Sequence, residues 1–260
     1  MLKSTQFLRL AAVLVLGSTM ACRGGFKVTN YPTSEALYDA AMREYQARRY
    51  DHAVLAFEKL TIDLPARDTL LPLAQFYLAK SHSGKGEHLL AAQSYRRVAE
   101  SFATDTLADD AMYEAARSNQ KMWRKPELDP QYGELAVATF QEMLALYPES
   151  EWKDDAEREL KALNEMFATK DYETGMHYFR RKAWDSAIIY FKDVVRLYPQ
   201  TDRARQAYLR LAEAYQTIRW REDKSEVCTT LHDRYPRDRD VLGVCGPRTV
   251  TESAKQDTIP

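Results

Sequence analysis

The sequence predicts an all-α fold, a solenoid of five helix pairs with an extra helix before the fourth. Composition, an internal repeat and a recurring order of small, aromatic and proline positions lead to it. The chain has 260 residues, 45% hydrophobic and 29% charged, which describes a globular protein rather than a disordered one. Nine glycines are few for this length, while 16 tyrosines and four tryptophans supply large side chains for a helical core. With 37 basic against 38 acidic residues, no excess positive charge is available to neutralise phosphates, so no nucleic-acid partner is expected.

Residues 1–21 read as an export signal: Lys3 and Arg9 come first, an apolar run fills 10–16, and Gly17, Ser18, Thr19, Met20 and Ala21 follow. The run is far shorter than the roughly 20 residues a membrane-spanning helix needs. Thr19, Met20, Ala21 and Cys22 resemble the lipobox of bacterial lipoproteins, in which the cysteine thiol takes a diacylglycerol and becomes the mature N-terminus. Thr19 stands where that motif usually has leucine, and the same residues also fit ordinary signal cleavage. Residues 22–33 read as a tether. Arg23 after the cysteine is not the aspartate that retains lipoproteins at the inner membrane, so the resemblance implies an outer-membrane destination.

Residues 38–65 overlay residues 172–199 without a gap. Tyr38 meets Tyr172, Met42 meets Met176, Asp51 meets Asp185, Phe57 meets Phe191 and Pro65 meets Pro199, with Ala41 opposite Gly175 and Tyr50 opposite Trp184. The closing positions are Pro65, Ala103, Pro148, Pro199 and Pro236. Twelve residues before the first four stand Ala53, Ala91, Ala136 and Ala187, and eight before stand Phe57, Tyr95, Phe140 and Phe191. An alanine lets two helices approach closely, the aromatic one turn on fills the space beside it, and proline stops the second helix. These are marks of tetratricopeptide repeats. The pairs are assigned to residues 34–65, 68–103, 105–148, 168–199 and 201–236.

Closing positions lie 38, 45, 51 and 37 residues apart, against a standard period of about 34. Two insertions account for the excess. Residues 122–131 hold Pro126 and Pro130, and residues 151–166 read as an additional helix continuing toward Tyr172. The fifth repeat is degenerate, with Lys224 at the alanine position and Cys228 at the aromatic one. Residues 237–260 read as a largely disordered tail.

Nothing in this pattern points to catalysis or a cofactor. The five histidines form no metal-binding pair on a helix and no CxxC occurs, so no metal site is expected. Gly84, Lys85 and Gly86 fall where the second pair must turn. Cys228 and Cys245 either form a disulfide in an oxidising compartment or leave Cys228 as a small core residue. The basic runs Arg48, Arg49 and Arg180, Arg181, Lys182 are either solvated turns or the edge of a binding surface.

Taken together, these residues resemble the BamD/ComL family of outer-membrane protein assembly lipoproteins, over residues 22–236. The most specific pieces are Asp129, Pro130, Gln131 in the first insertion and the stretch Tyr172, Glu173, Gly175, Tyr178, Phe179, Arg181, Ala183, Trp184. Departures are Thr19, Lys224, Cys228 and the polar tail. The resemblance implies a non-enzymatic scaffold, lipid-anchored through Cys22 on the periplasmic face of the outer membrane. Its implied partners are a BamA-like β-barrel subunit, other assembly lipoproteins and nascent outer-membrane proteins. Within it, Tyr38, Tyr45, Phe76 and Tyr77 are candidates for a client groove, and Tyr178, Arg181, Arg203 and Arg210 for the partner surface. The alternative is a repeat lipoprotein of the Tol-associated type that coordinates cell-wall synthesis with envelope constriction. Such proteins carry an N-terminal coiled coil, and no sustained heptad precedes Ser34.

Overall fold

The computed structural model describes residues 25–248. The export segment, Cys22 and residues 249–260 lie outside the described residues. Within them are eleven α-helices, preceded by a 3-10 turn at Val28–Asn30, and no strand. The helices divide between two compact units that meet in sequence at residues 81 and 82.

The first unit holds α1 (Ser34–Gln46), α2 (Tyr50–Asp63) and most of α3 (Leu70–Lys85). Thr33 caps α1, its hydroxyl accepting from the Ala36 N–H at 3.2 Å. Within the segment read as a tether, Phe26 stacks on Tyr31 at 5.6 Å and on His52 of α2 at 5.3 Å. Ala41 of α1 and Ala53 and Phe57 of α2 are buried together in the core.

The second unit holds α4 (His88–Ser101), α5 (Ala108–Gln120), α6 (Gln131–Leu146), α7 (Lys153–Arg180), α8 (Trp184–Leu197), α9 (Asp202–Ile218), α10 (Arg221–Arg234) and α11 (Arg239–Cys245). Neighbours in sequence pack on one another, and α9 also packs on α7. The repeated small and aromatic positions are buried, with Ala91 beside Tyr95, Ala136 beside Phe140 and Ala187 beside Phe191. Gly175 shows how tight the approach is: a Cβ there would stand 2.6 Å from the Phe191 ring. Gly133 meets the Trp123 ring of the first insertion in the same way, and that indole is fully buried.

Four helix-to-helix turns share one backbone form. Arg48, Gly86, Lys182 and Arg219 all have φ between 57° and 82°, each two residues before the next helix. The following N–H then reaches five residues back, Arg49 to the Glu44 carbonyl at 2.9 Å, Ala183 to Tyr178 at 3.1 Å and Trp220 to Tyr215 at 2.9 Å. Glycine fills this left-handed position only at Gly86. The other three turns hold a basic residue there, at a strain of about 1 kcal/mol each.

The additional helix read at 151–166 continues past Tyr172: it and the first helix of the fourth pair are one element, α7, unbroken through 28 residues from Lys153 to Arg180. No proline interrupts it, Asp154 and Asp155 sit in its first turn and His177 and Arg180 in its last, both favourable to the helix dipole. Its buried residues fall in two sets, Ala156 and Leu163 on one face of the first half and Ala168, Tyr172 and Gly175 on another face of the second half.

The tail expected from residue 237 onward is not wholly disordered. Asp238 caps α11 by accepting from the Asp240 N–H at 2.9 Å, and Val241 is 0% exposed, packed with Leu209 and Leu231. Arg205 of α9 pairs with both Asp238 and Asp240. Cys228 is disulfide-bonded to Cys245 at the end of α11, with Cα atoms 5.5 Å apart.

Candidate functional site

In the first unit, Tyr38 of α1 stands edge-on to Phe57 at 6.0 Å, and Phe57 stacks with Tyr77 of α3 at 5.9 Å. Tyr45 meets Tyr77 at 5.3 Å and Tyr50 at 5.8 Å. The fold thus links three of the four groove candidates by ring contacts, Tyr38 and Tyr77 on the buried Phe57 and Tyr45 on Tyr77. All three tyrosines are half-buried. Burial, with Tyr77 and Asp39 nearby, raises the Tyr38 hydroxyl above its ordinary range, so it stays a neutral donor. Phe76 departs from the expectation. It is 5% exposed and belongs to the core, because position 76 turns inward on α3 while position 77 turns toward Tyr45. The ammonium of Lys80 lies 5.2 Å from the Phe76 ring and 5.7 Å from that of Tyr77, placing a cation beside the cluster.

The basic turn beside this cluster is anchored. Arg49 donates to both Glu44 oxygens, at 2.5 and 2.7 Å, and His52 lies 2.9 Å from the same carboxylate. The Arg49 hydrogen bond, opposed by burial and aided by His52, lowers the Glu44 pKa to about 2.

In the second unit the four partner-surface candidates fall into two groups. Tyr178 and Arg181 lie at the end of α7, where Tyr178 stacks on Tyr190 of α8 at 5.5 Å and Arg181 is exposed in the turn. Arg203 and Arg210 lie on α9 and face back onto α7. The Arg203 guanidinium sits 5.0 Å over Tyr172 and donates to the Thr169 hydroxyl at 3.2 Å. The Arg210 guanidinium sits 5.9 Å from the Phe179 ring and pairs with Glu213. Tyr172 and Arg210 also line a cavity of about 550 Å³ whose other walls are α9 and α11. Arg205, Arg239, Asp240 and Val244 line it as well. Sequence reasoning missed Arg239, Asp240 and Val244 because α11 was taken for tail. The signal was present in the cap Asp238 followed by Val241 and Val244 three residues apart.

Among the described residues no group of three or more His, Cys, Asp or Glu is placed to hold a metal ion, and no helix is long and apolar enough to cross a membrane. What both surfaces offer is recognition: aromatic faces, cations and hydrogen-bond donors on rigid helices.

Comparison with known proteins finds relatives along most of the chain. The chain is 37% identical over 90 residues to the outer membrane protein assembly factor BamD of Vibrio cholerae, a stretch covering 35% of this chain and 37% of that protein. It is 25% identical over 238 residues to the BamD assembly factor of Caulobacter vibrioides, covering 88% of this chain and 76% of that protein. To its counterpart in Xylella fastidiosa strain Temecula1 it is 28% identical over 195 residues, covering 70% and 65%. Among solved structures, the TPR2AB domain of yeast Sti1 overlays with a TM-score of 0.42 at 16% identity, covering 80% of each chain. The model of one family, described as YfiO, outer membrane lipoprotein, matches residues 31–231. Those residues run from the start of α1 almost to the end of α10, and on that match the chain belongs to the YfiO family of outer membrane lipoproteins.

Proposed function

We infer that this protein is an outer-membrane-anchored periplasmic scaffold of β-barrel assembly, holding a BamA-like barrel subunit and nascent outer-membrane proteins without catalysing a reaction. The observation that carries the reading is the family match over residues 31–231, together with relatives named as outer membrane protein assembly factors. In this reading Cys22 carries the lipid, because several acyl chains anchor a protein firmly where one does not. The half-buried tyrosines Tyr38, Tyr45 and Tyr77 receive the client segment, and Lys80 supplies a cation beside it. The exposed turn at Arg181, with Tyr178, Arg203 and Arg210, receives the barrel subunit. Rigid helices bear the ordering cost before the partner arrives, which suits binding with modest contacts.

The test is recovery of the tagged lipoprotein from solubilised outer membranes. A large β-barrel protein with repeated periplasmic domains is expected to come with it. Recovery of Tol proteins or cell-wall synthases in its place overturns the reading in favour of the envelope-constriction alternative. Arg181→Glu is expected to lower co-purification of the barrel subunit, and unchanged recovery removes Arg181 from the partner surface.

A further inference from the structure

The cavity between α7, α9 and α11 belongs to neither surface assigned above in full, and its construction is unusual. One wall is a helix of seven residues, too short to be stable alone. That wall is fixed from three sides: Val241 is buried against Leu209 and Leu231, Arg205 pairs with Asp238 and Asp240, and Cys245 is bonded to Cys228 of α10. The cavity that results has a volume of about 550 Å³, enough for two or three side chains of a peptide.

Its chemistry is not symmetric. Leu209 and Val244 give an apolar floor, and Gly243 contributes no side chain. A Cβ built at Gly243 would meet nothing within 4 Å. Three guanidinium groups line the cavity against two carboxylates, those of Glu213 and Asp240. Asp240, with Asp238, is taken up by Arg205, and Glu213 pairs with Arg210 through one nitrogen, leaving further donors. Arg239 is exposed, and among the described residues no ion pair holds it.

We propose that this cavity binds an acidic peptide segment of a partner protein, an aspartate or glutamate beside an apolar residue, and that the Cys228–Cys245 disulfide holds the wall without which the site does not form. Arg239 and the remaining donors of Arg210 take the carboxylate, and the apolar neighbour settles between Leu209 and Val244. The site rests on reading the chain as a partner-binding scaffold. Arg210 is shared with the surface proposed for the barrel subunit, but Arg181 does not line the cavity and Arg239 was not assigned to that surface, so Arg181→Glu tests the one assignment and Arg239→Glu the other.

The experiment uses the full mature chain carrying Cys22→Ser and two labelled peptides that differ only in charge, Gly-Glu-Leu-Glu-Leu-Gly and Gly-Lys-Leu-Lys-Leu-Gly, with anisotropy as readout. The oxidised protein is expected to bind the acidic peptide saturably and the lysine peptide not at all. Gly243→Trp fills the open space and Arg239→Glu reverses the charge. Each is expected to weaken binding about tenfold, the size of one charge-assisted hydrogen bond, with the melting temperature kept. Glutamate suits the first turn of a helix, so Arg239→Glu folds even if the tryptophan disturbs α11. The pair Cys228→Ser with Cys245→Ser is expected to weaken binding as much. Equal binding of both peptides, binding untouched by Gly243→Trp and Arg239→Glu, or absence of saturable binding overturns the proposal. Saturation by inorganic phosphate with no peptide binding also overturns it, since it describes a small-anion site.

Discussion

Phe191 and Gly175 fix how closely α7 and α8 approach. The ring fills the space that a side chain at 175 would occupy, and no exposed surface remains on it. Phe191→Ala leaves a cavity where the surrounding helices cannot fully collapse, and it is expected to cost about 3–5 kcal/mol. Urea unfolding followed by circular dichroism measures that difference. Gly175→Val overpacks the same contact and is expected to destabilise by about 1–3 kcal/mol. Glu44 gives a residue-scale dependence on pH. Its folded pKa of about 2 lies below the roughly 4.3 of an unfolded chain, so its contribution is present above about pH 4 and is lost as pH falls toward 2. The variant Glu44→Gln is expected to flatten that part of the stability curve, and unfolding midpoints collected between pH 5 and pH 2 show whether it does.

Elements show where sequence reading succeeded and where it stopped. The pairing of α1 with α2 and of α7 with α8 was legible because alanine, aromatic and proline positions recur at fixed offsets within each pair. Those offsets are set by helix geometry, which is local. The continuation of the 151–166 segment toward Tyr172 was legible because no proline interrupts the run, and the structure makes it one helix from Lys153 to Arg180. The element missed was α11, since seven residues carry too little periodicity and its partners Leu209 and Leu231 are brought near only by folding. The disulfide closing it spans a sequence separation of 17 residues, and a loop of that size stabilises by about 3 kcal/mol. Replacing both cysteines with serine is expected to lower unfolding free energy by that amount. In the oxidised chain carrying Cys22→Ser, unfolded without reductant, no free thiol is expected to react.

At the scale of the whole molecule, binding and placement are separable. In the proposed scaffold the lipid at Cys22 governs where the chain resides, whereas the tyrosine cluster and the arginine surfaces would govern what it holds. Cys22→Ser is expected to move the protein from the membrane to the soluble periplasmic fraction and to abolish palmitate labelling, with the helical content unchanged. Retention of the label in that variant removes Cys22 as the lipidation site. Near-neutral charge, 37 basic against 38 acidic residues, accords with protein partners recognised by local patches rather than by a global field.

The sequence by itself determined the class of fold and the family, because repeat period, close-contact alanines and terminating prolines act over a few residues. It also supplied the aromatic and basic residues from which both surfaces are made. Only the tertiary structure decided which of them are available: Phe76 is consumed by the core while Tyr77 beside it remains half-exposed, and Arg205 is consumed by Asp238 and Asp240 while Arg239 remains exposed. Availability depends on neighbours that are distant along the chain, and those neighbours are set by packing.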